Sequence, residues 1–205
     1  MSKSTVREVL AFKRCFSVGA SLQDFVAKLV NVSHEGLVSR DGFVQVLTNL
    51  GIDVRTSLHG SGYFLLDFFD AFDRPSCGFV DTVELITGAT VFFDGSKSAK
   101  LMFAFELFDL ANRNALRRSA MWKFFRSFLT PILLLCKLVP GEKLDILIDE
   151  AAEWCVEDIV SMSPNADNTD ITFDDLSAYY SERGFLVASW LELLDLGKMA
   201  KLGNN

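Results

Sequence analysis

Asp73-Arg74-Pro75-Ser76-Cys77-Gly78-Phe79-Val80-Asp81-Thr82-Val83-Glu84 is the stretch that decides how this chain is read. Phe68, Phe69 and Phe72 precede it, and Leu85 and Ile86 follow it. An acid opens the stretch, a glycine stands sixth, an apolar residue eighth and an acid twelfth. That spacing belongs to a loop that wraps a hard cation in oxygens between two helices. The glycine serves the sharp turn, and the flanking apolar residues give each helix a face to bury.

The frame recurs along the chain at unequal spacing, thirty-six residues on at Asp109 and again before and after, and a recurring frame is the signature of a repeat. Ala104, Phe105, Leu107, Phe108 and Asp109 enter a second copy that ends at Ala120, before Met121 and Trp122. Leu29, Val30 and Asn31 enter an earlier one, with Gly36 sixth, Val38 eighth and Phe43 beyond it. Ile159 and Val160 lead to a last copy from Pro164 to Asp175, with Ile171 eighth and Leu176 after it. Apolar residues at three- and four-residue spacing fill 22–30, 43–50, 63–72, 82–93, 100–107, 119–129, 142–162, 174–183 and 186–196. Helical periodicity of this kind predicts an all-α chain. Four helix-loop-helix units would pair as two lobes, followed by a C-terminal helix. The first lobe is 1–95, with units near 22–50 and 63–93. The second is 96–183, with units near 100–130 and 142–183. The tail is 184–205. Eighth-position residues would pair across each lobe, Val38 with Val80 and Leu116 with Ile171.

The middle of the chain resembles a known family. Gly95, Lys100-Leu101, Ala104-Phe105, Leu107-Phe108-Asp109-Leu110 and Met121 follow the pattern of the neuronal calcium sensor and calcineurin B group of EF-hand proteins. The order from Gly88 to Leu110 is also similar to the calaxin branch, associated with ciliary dynein. The resemblance implies EF-hand units, binding of a protein partner, and a ciliary, flagellar or cytoskeletal setting. Ala120 stands where the group has Glu, Ser2 stands where its myristoylated members have Gly, and the first and last units match in frame alone.

Calcium needs six or more oxygens, mostly from loop positions 1, 3, 5, 7, 9 and 12. The first loop offers Asn31, Ser33, Glu35 and Ser39, but Gly42 stands twelfth. The third has Asp109, then Ala111, Arg113, Arg117 and Ala120. Guanidinium groups keep their charge and repel a cation. The fourth has Pro164 and Ala166 at positions one and three, leaving Asn168 and Asp175, with Asp167, Asp170 and Asp174 nearby. The second loop is the candidate site: Asp73, Asp81 and Glu84 with the carbonyl of Phe79. Pro75 brings no side-chain oxygen there, and Cys77 is a soft ligand. The alternative is that Asp73 caps a helix and Glu84 pairs locally.

Composition narrows the function classes. The 205 residues carry a net charge of −7, so no basic footprint for nucleic acid exists. Nineteen Phe against three Tyr point to Phe-rich helix packing, as core or as an apolar groove. Cys15, Cys77, Cys136 and Cys155 form no CxxC pair, and His34 and His59 stand apart from them. Unpaired thiols suit a reducing, cytoplasmic setting. Neither a leader nor a lipidation motif is read at the start. The apolar run 128–139 is short and holds Pro131 and Lys137, so it reads as a buried helix end and turn rather than a span or anchor. Phosphate loops, nucleophile elbows and zinc patterns are missing, so no enzyme is expected.

The expected function is a non-catalytic adaptor or structural subunit that holds an amphipathic partner helix, largely without calcium. Phe43, Leu47, Phe64, Phe68, Phe92, Phe93 and Trp190 are candidate groove residues, each equally a candidate for core. The tail would dock on the protein's own groove or on a partner. The alternative is a residual calcium sensor working through Asp73, Asp81 and Glu84, with weakly held calcium as the sole cofactor considered.

Overall fold

The computed structural model describes residues 20–52, 64–136, 141–162, 170–184 and 194. Within them lie eight α-helices and four three-residue strands. In chain order they are α1 (Leu22–Val32), β1 (Leu37–Ser39), α2 (Arg40–Asn49), α3 (Phe64–Asp70), β2 (Phe79–Asp81), α4 (Thr82–Ala89), α5 (Lys97–Phe108), β3 (Ala115–Arg117), α6 (Arg118–Cys136), α7 (Gly141–Met162), β4 (Asp170–Thr172) and α8 (Phe173–Tyr179). Each strand leads straight into a helix, so the unit is helix, loop, strand, helix.

The strands pair antiparallel in two separate ladders. Val38 lies opposite Val80 at the centre of one, and Leu116 opposite Ile171 at the centre of the other. These are the pairs expected from the eighth loop positions. All four side chains are buried, because the inward face of each ladder closes over the core. The ninth position then starts the next helix. Ser39 accepts from the Gly42 amide, Asp81 from the Val83 and Glu84 amides, and Thr172 forms a capping box with Asp175. Arg117 holds that position before α6 and has no acceptor to offer.

Helix α6 departs from expectation. The sequence reads a helix end and turn from Phe128, but α6 runs through Pro131 to Cys136. Proline removes one backbone bond and strains the preceding turn. The flanking residues Phe128, Leu129 and Ile132 are all buried, and keeping that apolar run helical is what buries it.

The buried apolar residues of both halves form one continuous cluster. Its first half is aromatic: Phe43 stacks on Phe69 at 5.5 Å between centroids, and Phe68 meets Phe92 edge-on at 5.6 Å. In the second half Phe124 meets Phe128 edge-on at 5.1 Å. Helices α4 and α6 join the halves, and Gly88 lies in that contact. A Cβ there would stand 2.5 Å from Phe72 Cζ and 3.0 Å from the Ser127 carbonyl oxygen.

Candidate functional site

The second loop is closed by its own first residue. Asp73, buried at 8 % exposure, accepts from the Cys77 amide through Oδ1 at 2.9 Å and from the Gly78 amide through Oδ2 at 2.7 Å. The loop turns through positive φ at Ser76 (51°) and Gly78 (82°). Asp109 repeats the arrangement in the third loop. Its Oδ1 accepts from the Arg113 amide at 3.0 Å and its Oδ2 from the Asn114 amide at 2.7 Å. Positive φ falls at Asn112 (49°) and Asn114 (53°), the same two loop positions. Asparagine tolerates this region where most side chains do not.

The remaining second-loop carboxylates meet cations rather than each other. Asp81 Oδ1 caps α4, while its Oδ2 lies 3.4 Å from Lys123 Nζ. Glu84, 5 % exposed, accepts from Arg126 Nη1 through Oε2 at 2.6 Å, and Lys123 Nζ lies 3.2 Å from Oε1. Both cations stand on α6, forty-two residues downstream. All six carboxylate oxygens of Asp73, Asp81 and Glu84 thus have partners. The Phe79 carbonyl accepts from the Cys77 thiol at 3.5 Å. Among the described residues, no group of three or more His, Cys, Asp or Glu is placed to hold a metal ion. Asp81, not Asp73, caps a helix, and Glu84 pairs far along the chain.

The charged contact continues across the halves. Arg126 Nε faces Asp149 Oδ1 on α7 at 3.6 Å, and Arg74 of the second loop pairs with Asp149 and, at 3.5 Å, with Asp145. Arg126 also lies over the Trp122 ring at 5.4 Å. Burial pulls the Arg126 pKa below its ordinary value, and the carboxylates of Glu84 and Asp149 oppose that pull while Arg74 adds to it. Burial pulls Lys123 down as well, but Glu84 and Asp81 outweigh it and its pKa is raised. In the third loop Arg113 reaches across the ladder to Asp170 at 2.9 Å. In the fourth, Asp175 Oδ2 accepts from the Thr172 amide and hydroxyl, so this twelfth-position acid is a cap.

The described side chains among the expected groove residues are buried. Phe43, Leu47, Phe68 and Phe92 are fully buried and Phe93 nearly so. Helical periodicity marks the inward face, and here that face is closed by the rest of the molecule. The Phe64 side chain and Trp190 lie outside the described residues. Among the described residues a cleft of about 680 Å³ lies between α1 and α5, and the expected groove residue Phe93 lines it with Leu22, Val26, Ala99, Lys100 and Phe103. Lys100, almost wholly buried, donates to the carbonyls of Val91 at 3.3 Å and Leu194 at 2.8 Å. Leu194 itself is fully buried in the core. This one described residue of the tail therefore packs into the protein's own core.

No helix among the described residues is long and apolar enough to cross a membrane. Comparison with known proteins finds no matching family model and no matching curated protein.

Proposed function

We propose that the four hairpins are EF-hand-like units, paired as two lobes, that kept their scaffold after losing their ion ligands. The protein is then a non-catalytic binding module for a partner protein, and it works without calcium. The observation that carries this reading is that main-chain amides and the α6 cations already answer the loop acids. Asp73 and Asp109 each close their loops on main-chain amides four and five residues on. A loop so closed has no need of a cation to hold its shape, and helix packing supplies the remaining stability. The eighth-position pairs Val38–Val80 and Leu116–Ile171 support the kinship of the units.

The docking surface is the cleft between α1 and α5. Its apolar lining suits the apolar face of a partner helix. Affinity capture from native cells tests the reading, run in calcium and in chelator, with Val26→Asp as the cleft-blocking variant. A partner held equally in both buffers and lost with Val26→Asp is expected. A partner lost in chelator overturns calcium independence, and one retained by Val26→Asp overturns the cleft.

A further inference from the structure

We propose that Lys123 and Arg126 are tethered cations that take the charge-balancing place of a metal ion at the second loop, so that a hard cation and the contact between the halves compete for Glu84.

Lys123 Nζ stands between two carboxylates, 3.4 Å from Asp81 Oδ2 and 3.2 Å from Glu84 Oε1. These are the ninth and twelfth loop positions, which face a bound ion in a working loop. Arg126 takes the other Glu84 oxygen at 2.6 Å. A carboxylate as buried as Glu84 is unstable unless a positive charge and hydrogen bonds answer it. Here the answering charge is supplied by α6, so it arrives with the second half of the molecule. The same carboxylate therefore cannot chelate an ion and hold α6 at once.

The surrounding charges belong to one system. Arg74, Lys123 and Arg126 face Asp81, Glu84, Asp145 and Asp149. Carboxylates exceed cations by one, so removing the α6 cations leaves a strongly negative pocket beside the loop. Arg126 Nε and Asp149 Oδ1 are both buried and face each other without a hydrogen bond. Their attraction is that of charge alone, which shifts readily when a neighbouring charge is changed. In the third loop the twelfth position is Ala120, and no such contest arises.

This inference rests on the EF-hand-like reading above, but its test does not use a partner protein. Terbium ions serve as the probe, because Trp122 lies beside Arg126 and can sensitise their emission. Three full-length proteins are titrated: wild type, Lys123→Met with Arg126→Met, and that pair with Glu84→Gln added. Thermal melts with and without calcium accompany each. The double variant is expected to show saturable terbium emission at concentrations at least tenfold below any wild-type response, and a melting temperature that calcium restores in part. Glu84→Gln is expected to abolish both effects. Should the double variant not fold, Lys123→Met alone removes the more exposed cation, leaves the Glu84–Arg126 pair, and is expected to show the same gain at smaller amplitude. The proposal is overturned if the variant that folds stays silent, if wild type responds as strongly, or if Glu84→Gln leaves the emission unchanged. Failure here leaves the capture experiment with calcium and chelator intact, so the two readings fall separately.

Discussion

The second and third loops share a backbone and a first aspartate but differ in the charges at their later positions. Each opens on a buried aspartate that accepts amides four and five residues on, and each turns through positive φ at its fourth and sixth positions. Yet the second keeps Asp81 and Glu84 while the third carries Arg113, Arg117 and Ala120. Loop shape is thus encoded by the first aspartate and the two turning positions, whatever stands at the ninth and twelfth. In the second loop, cations on α6 meet Asp81 and Glu84; in the third, Arg113 is held by Asp170 across the ladder.

The largest effect should come from the side of this comparison where charge is buried. Arg126→Met strips Glu84 of its closest partner and should lower stability by about 3–5 kcal/mol, since an unanswered buried charge is the costly outcome. Chemical denaturation measures it, and a loss below about 1 kcal/mol would show that the pair is dispensable. Gly88→Ala tests whether α4 and α6 need their close approach. The added methyl meets Phe72 and the Ser127 carbonyl, so about 1–3 kcal/mol should be lost in the same assay. Asp73→Ala and Asp109→Ala test the sameness of the two loops. Each leaves two amides without their acceptor, and each should cost about 1–3 kcal/mol. Losses that differ by more than about 2 kcal/mol would mean the loops are not held alike. Arg113→Met should change stability by less than about 1 kcal/mol, because its ion pair is largely solvated.

The pH dependence sharpens the same contrast. Lys123 is raised above its ordinary value of about 10.4, so its contribution is present at neutral pH. It is lost as pH climbs through the folded-state value in strong alkali. Melting curves in alkali should therefore fall more steeply for wild type than for Lys123→Met. Parallel curves would remove Lys123 from the account.

Much of the scaffold was legible in the chain. The loop frame placed Val38 against Val80 and Leu116 against Ile171, because a repeat carries its register with it. Periodicity located the helices but not the depth of their inward faces. Phe43, Leu47, Phe68 and Phe92 have the spacing of a groove and the burial of a core, and a single sequence cannot separate the two. The length of α6 was missed because Pro131 reads as a stop, whereas the burial that overrides it is tertiary. The Glu84–Arg126 contact was missed for a related reason. Its partners lie forty-two residues apart and meet only once α4 packs on α6. A signal was present: Lys123 and Arg126 interrupt the apolar stretch of Phe124, Phe125 and Phe128, and cations within a buried run need acids opposite them. Leu194 gave no signal of its docking, since the carbonyl bound by Lys100 is common to every residue.

Calorimetric titration of the full chain with calcium tests the central claim most directly. A fold whose loops close on their own amides and cations should give no saturable heat and no change in circular dichroism up to millimolar calcium. Saturable heat at micromolar calcium, accompanied by a conformational change, would contradict it and make the protein a sensor.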